Sequence, residues 1–225
     1  MILKKETYSL QAASYIRSCI RSGELSPGDP VREAFLAQRL GISRAPIREA
    51  LFSLAQEGLI CAEPQKGKYV RSMSAAEILD SYVVAGILEG AGVAASLPRW
   101  TENDHEHFRE VVASLQKMAD HAKQLDELAD MDDLFHSALL SCCPNTRLVE
   151  MARTSCATIS KYLYYQHWIV LFTPQEFLTR HLALADAVFA GKPSQIEKVL
   201  RAHYRETGIR MSQHVHDSAP SSRRG

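Results

Sequence analysis

From Ser74 to about His214 the apolar residues recur every three or four positions and nowhere alternate. That period belongs to helices that bury one stripe, and it leaves no strand signal to build a sheet from. Stripes run over about 75–97, 102–123, 125–142, 146–168, 174–190 and 193–213. Breaks fall at Pro98, near Gln124, at Pro144-Asn145, at Thr173-Pro174 and at Gly191-Lys192-Pro193. Ser74, Thr101, Thr173 and Ser194 sit where an N-cap hydroxyl is needed. Six helices with short joints predict an all-α antiparallel bundle over 73–214. The remainder, 215–225, is rich in Ser, Pro and Arg and is expected to be a disordered tail.

The first 72 residues read differently. Tyr8, Ala12, Tyr15, Ile16, Cys19 and Ile20 form one helical stripe that stops at Ser22-Gly23. Ser26-Pro27-Gly28-Asp29-Pro30 is a turn. A second helix runs from about Arg32 to Leu40, with Phe35, Leu36 and Leu40 inward. Gly41 then suits a helix stop, because a residue without Cβ takes a positive φ readily. Ser43 is placed to cap the next helix, and Pro46 falls at N3, where the N–H it lacks has no helical partner anyway. Ile47, Ala50, Leu51 and Leu54 make the buried stripe of that third helix, with Arg44 and Arg48 on its outer side. Helix, short turn with Gly, and helix is the helix-turn-helix arrangement. Two arginines at the start of its second helix suit the major groove, since a guanidinium fork bonds O6 and N7 of guanine together. Beyond Glu57-Gly58, Leu59–Ala62 and Tyr69-Val70 read as two short strands. The basic tip between them carries Lys66, Gly67 and Lys68, where a glycine lets the backbone approach a phosphate.

Composition agrees with this division. The 225 residues are 46% hydrophobic, which supports a sizeable core. Net charge is zero overall, but residues 1–72 carry +4 and the rest −4, as expected of a nucleic-acid reader joined to something else. All nine histidines lie beyond residue 100. The five cysteines are odd in number and show no CxxC spacing, so free thiols in a reducing compartment are expected. Lys4 and Lys5 have no apolar run behind them, and no unbroken run approaches the roughly 20 residues that span a bilayer. A cytoplasmic protein without a membrane partner is expected.

Several motifs stand in a fixed order. They are Ser22–Asp29, Leu36–Leu51, Glu57-Gly58-Leu59-Ile60 and Lys66-Gly67-Lys68-Tyr69-Val70. Together they resemble the winged helix-turn-helix DNA-binding domain of GntR-type bacterial transcription regulators, nearly continuously from Ile16 to Val70. The resemblance implies that Arg44 and Arg48 read bases, that Arg32 and Ser43 contact DNA, and that the wing tip reaches the minor groove. Many relatives carry Thr where this chain has Ala45, so a hydroxyl contact is replaced by a methyl group that can touch thymine. Asp132–His136, Asn145–Leu148, Arg180–Ala187 and Ala202-His203 resemble the FCD effector domain of the FadR-like branch of that family. Residues 1–72 are thus expected to be the DNA-binding domain and 73–214 the effector and dimerisation domain.

Asp132 and His136 stand four apart on one helix face, and His181 and His203 lie on two later helices. A carboxylate and three imidazoles suit zinc or another borderline divalent ion. The spacing alone does not single them out from His105, His107, His121, His167, His214 and His216. The FCD resemblance does, because many members hold a metal with an Asp, a His four later and two further His, and all four positions match. Zinc is the expected metal, with nickel and manganese as alternatives. The first effector helix departs from the family's Val-Arg-x-x-Leu-Glu pattern at Ala85, which replaces an arginine. Many relatives bind small carboxylates through the metal and nearby arginines, so this loss weighs against a small diacid and favours a larger or less charged effector, with Arg153 and Lys161 as the candidates to face the pocket.

The leading expectation is a homodimeric transcription regulator, acting as a repressor on a pseudo-palindromic operator in double-stranded DNA. Two linked winged helices gain through effective concentration what one lacks in contacts. A small-molecule effector would then favour one spacing of the pair. The competing expectation is a metal-dependent hydrolase fused to a DNA-binding domain. It lacks an evident general base, since Asp133 points about 100° away from Asp132 on the same helix. A third reading is an architectural DNA binder with a purely structural bundle.

Overall fold

The computed structural model describes residues 7–63 and 67–218. Within them the chain forms two compact units. One takes the residues up to Met73 together with Ala157–Gln166, and the other takes Ser74–Cys156 and the chain from His167 onward.

The first unit is a winged helix. Helix α1 (Tyr8–Ser22) is capped by the Thr7 hydroxyl and ends at Gly23, with φ 81°. Its buried face is Ala12, Ala13, Ile16, Cys19 and Ile20. Helix α2 (Glu33–Leu40) buries Leu36 and Ala37. Phe35, expected inside, is instead 57% exposed. At 100° per residue it cannot share the inner face with both Leu36 and Ala37, and the smaller pair fits closer to its neighbours. Helix α3 (Arg44–Gln56) buries Ile47, Ala50, Leu51 and Leu54, the stripe read from the sequence. Strands β1 (Ile60–Glu63) and β2 (Gly67–Val70) pair antiparallel, Ile60 opposite Val70 and Glu63 opposite Gly67. The Pro27–Val31 turn adds to this sheet. Val31 N–H donates to Lys68 O at 2.8 Å, and Val70 N–H donates to Asp29 O at 2.9 Å.

The same unit contains a segment that periodicity placed inside a bundle helix. Helix α7 (Thr146–Thr158) passes into a π-helical turn, Ile159–Leu163, and then into the one-turn α8 (Tyr165–Trp168). A π turn carries an extra residue and shifts the phase of the residues beyond it. Ile159, Leu163, Tyr164 and Tyr165 are all buried as a result, which one regular stripe does not allow. Tyr164 Oη accepts from Met73 N–H at 2.9 Å. The Arg21 guanidinium lies over the Tyr165 ring at 4.2 Å and donates to its hydroxyl at 2.9 Å.

The second unit is the helical bundle. Its spine is α4 (Ala75–Ser96) against α10 (Pro193–Ser218). Ser74 and Glu77 close a capping box at the start of α4. The two helices approach through glycines. A Cβ on Gly208 would stand 2.7 Å from Tyr82 Cβ, and one on Gly86 would stand 2.8 Å from Tyr204 Cβ. Each tyrosine thus lies against a glycine of the opposite helix. Helix α5 (Glu102–Ala119), α6 (Ala129–Leu139) and α9 (Pro174–Phe189) pack round this pair. Phe108 joins them, with its ring 5.3 Å from Phe135 and 5.7 Å from Phe189.

Two expectations change here. The tail was placed from residue 215, yet α10 continues to Ser218. Val215 is half-buried and the His214 ring meets that of His167, Nδ1 to Nδ1 3.0 Å, so the helix keeps a packed face beyond residue 213. Residues 219–225 lie outside the described residues, as does Lys66 of the wing tip. In addition, the segment Ala75–Arg99 is long and apolar enough to cross a membrane, with mean hydropathy 1.5. The count of unbroken apolar residues missed it because Glu89 interrupts the run. Its inner face, including Ile78, Tyr82, Ala85 and Val93, is buried in the bundle.

Candidate functional site

The candidate DNA face is built on the turn before α3. Gly41 takes φ 65° and ends α2, and Ser43 follows as N-cap in extended conformation. The Ser43 hydroxyl makes no cap bond, contrary to expectation, and is exposed. Arg44 and Ala45 open α3 and are exposed, as is Arg48 one turn on. Arg32 is the exposed N-cap of α2 rather than its first helical residue. Gly67 takes φ 83° at the start of β2, with open space where a Cβ would be. Arg48 and Lys68 are brought together by a residue that sequence reading passed over. Arg48 Nε donates to Glu33 Oε2 at 2.8 Å, and Lys68 Nζ donates to Glu33 Oε1 at 3.0 Å. The two cations, Arg48 first, hold the Glu33 carboxyl below the usual carboxylate range.

The second candidate site lies among α6, α9 and α10. The ligand atoms of His136, His181 and His203 all fall within 4.8 Å of one another. The fourth expected donor joins them. Asp132 Oδ1 is 3.0 Å from His181 Nε2 and 3.8 Å from His136 Nε2. Four residues scattered over seventy positions therefore meet at one point.

The surroundings decide which ring nitrogens face that point. His181 Nδ1 donates to the Phe177 carbonyl at 2.8 Å, which leaves Nε2 turned to the cluster. His136 Nδ1 lies 2.6 Å from Glu89 Oε1, which leaves its Nε2 on the Asp132 side. Glu89 is 2% exposed and also accepts from Tyr204 Oη at 2.7 Å. A carboxylate or carbonyl behind each ligating imidazole is the usual way of fixing ring orientation at a metal. Burial alone would lower the His136 pKa, but Glu89 outweighs it, with help from Asp132 and Asp133, and pushes it up to about 9. His203 moves the other way, held well below the ordinary range by burial and then by His181, His136 and Arg180. It is neutral, as a metal ligand must be. One buried and two half-buried imidazoles with a carboxylate are a fitting donor set for a divalent ion of zinc type.

Glu89 and Tyr204 were not foreseen as site residues. The signal for Glu89 was present: it is the sole charge between Asp80 and Arg99 in an otherwise apolar helix. Arg180, beside His181, was also missed. Its guanidinium donates to the His203 carbonyl at 3.1 Å and the Thr207 hydroxyl at 2.9 Å, and it pairs with Glu206. Ala85, at the family's arginine position, is fully buried. Of the two effector candidates, Arg153 is exposed on α7, while Lys161 lies in the π turn that belongs to the winged-helix unit.

Comparison with known proteins finds two family matches along the chain. Residues 8–70 match the model of bacterial regulatory proteins of the gntR family, and residues 80–206 match the FCD domain. The HTH-type transcriptional repressor RspR of Escherichia coli K12 is 27% identical over 81% of this chain and 79% of its own length. A probable D-xylose utilization operon transcriptional repressor of Paenarthrobacter nicotinovorans is 28% identical over 89% of this chain and 87% of its own. The solved structure of E. coli McbR/YncC superposes with a TM-score of 0.70, at 20% identity, over 94% of this chain and all of that one, and so shares the fold. The relatives are transcription regulators and not enzymes, which sets aside the fused hydrolase. The chain belongs to the GntR family of bacterial transcription regulators, with a DNA-binding winged helix followed by an FCD domain.

Proposed function

We propose that this regulator is a repressor whose hold on DNA is set by a small carboxylate bound beside a divalent metal in the helical domain. The observation that carries the reading is the meeting of His136, His181 and His203 with Asp132. Zinc is the first choice of metal, with nickel and manganese accepted by the same donors. The ion would supply an electrophilic anchor for one carboxylate oxygen, and the chain's own groups would orient it: Phe177 O and Glu89 fix two rings, and Arg180 fixes the backbone of His203. The protein acts as a homodimer on a pseudo-palindromic operator in the cytoplasm, with Arg44 and Arg48 of each subunit in one of two successive major grooves and the wing tip at the minor groove. A ligand shifts the DNA-bound population only if it prefers one state of the dimer.

The test selects bound duplexes from a random pool. Binding to the best duplex is then followed by anisotropy, with zinc present, across a panel of mono- and dicarboxylates. A carboxylate that weakens wild-type binding about tenfold, a typical coupling, should leave His181→Ala unaffected. Release that is undiminished in His181→Ala would put the effector elsewhere.

A further inference from the structure

Glu33 opens α2, where the positive end of the helix dipole favours a carboxylate. It touches two of the cations expected at DNA. One oxygen takes Nε of Arg48 from α3, and the other takes Nζ of Lys68 from β2. The side chain is only a quarter exposed, against 65% for Arg48. Three elements of the winged helix are therefore tied at one carboxylate.

The choice of atom matters. A guanidinium reads guanine with two parallel N–H groups. With Nε committed to Glu33, the free pair is Nη1 and Nη2, the end of the fork. The ammonium of Lys68 keeps two of its three protons for phosphate. Two cations this close would repel one another without the shared anion, and Arg48 would swing away on its long stem. We infer that Glu33 is a positioning residue for sequence readout: it aims the Arg48 fork at one base and fixes the wing lysine relative to it. This rests on the reading that α3 enters the major groove.

Glutamine in its place offers one acceptor oxygen and no charge, and so cannot serve both cations. Aspartate keeps the charge but is one methylene too short to bridge them. Wild type, Glu33→Gln, Glu33→Asp, Arg48→Ala and the Glu33→Gln/Arg48→Ala double variant would each select duplexes from a random pool. Affinity for the wild-type consensus, and for a copy with the Arg48-dependent base changed, would then be measured by anisotropy. Circular dichroism and thermal melting would check each variant's fold.

Arg48→Ala should erase a guanine preference of roughly tenfold or more at one position per half-site. Both Glu33 variants should cut that preference to about two- or threefold while sparing the other positions. Glu33→Gln should also raise affinity for unrelated DNA by a few-fold, as removal of a negative charge near phosphate requires, whereas Glu33→Asp should not. The double variant should match Arg48→Ala. A merely structural Glu33 would lower melting temperature without altering one base position. The inference fails if either folded Glu33 variant keeps the full guanine preference, or if Arg48→Ala keeps it. Should wild type select no motif at all, the reading of α3 fails instead.

Discussion

Glu89 Oε1 and His136 Nδ1 lie 2.6 Å apart, joining α4 to α6 across 47 residues of sequence. Glu89 is buried, and its second acceptor oxygen is taken by the Tyr204 hydroxyl. The metal-binding reading of the bundle depends on it, because it decides which nitrogen His136 turns to the cluster.

Glu89→Leu removes the carboxylate shared by the Tyr204 hydroxyl and His136 Nδ1, which are left with each other at 3.3 Å. A loss of about 1–3 kcal/mol in unfolding free energy is expected, the cost of one buried polar group left short of a partner. Tyr204→Phe should cost about 1 kcal/mol. The double variant should cost less than the sum, since both changes remove the same bond. Urea titrations of the four proteins give these values, and strict additivity would show that the bond is not made.

The pH dependence of the metal-free protein is set by two opposed histidines. His136 is raised to about 9 in the folded chain, so its charge stabilises the fold fully below about pH 6.5, and that contribution is lost as pH rises through 9. His203 is depressed, so stability falls as pH drops below the ordinary histidine range. Melting temperature with chelator should peak near pH 6–7 and decline on both sides. Glu89→Gln should flatten the alkaline limb. Zinc should bind more tightly as pH climbs towards 9, because a ligating His136 must lose its proton. A melting temperature that rises steadily to pH 9 without metal would contradict this.

Glycine-to-alanine changes within helices ordinarily stabilise by up to about 1 kcal/mol. At Gly86 and Gly208 the sign should reverse, because the new methyl meets Tyr204 Cβ at 2.8 Å or Tyr82 Cβ at 2.7 Å. A loss of about 1–3 kcal/mol is expected at each, visible as a melting point lower by roughly 5 °C. Gly86→Ala should also weaken zinc retention, since it displaces the tyrosine that bonds Glu89, whereas Gly208→Ala should not. A rise in melting temperature for either would mean that α4 and α10 are not so close.

Much of this was legible in the sequence because it is local. The α3 stripe, the Gly41 turn and the Ser74 cap each depend on residues within a few positions of one another. Asp132 and His136 were equally readable as a pair, whereas His181 and His203 were singled out from the other histidines by resemblance. The features that escaped did so for physical reasons. Glu33 and Glu89 act across 15 or more residues, and a lone carboxylate on a helix carries no periodic signal. The π turn at Ile159–Leu163 hid inside an apparently continuous helical stripe, because one extra residue alters phase and not composition. The tail boundary was missed because His214 pairs with a ring 47 residues away.

The most direct test of the account is the zinc content of the purified protein after loading and dialysis, by elemental analysis. Wild type would be measured beside His136→Ala, His181→Ala and His203→Ala. The account predicts about one equivalent in wild type and under about a tenth in every variant, as for a site that has lost one of its protein ligands. No metal in wild type, or the same content in all four proteins, would contradict it.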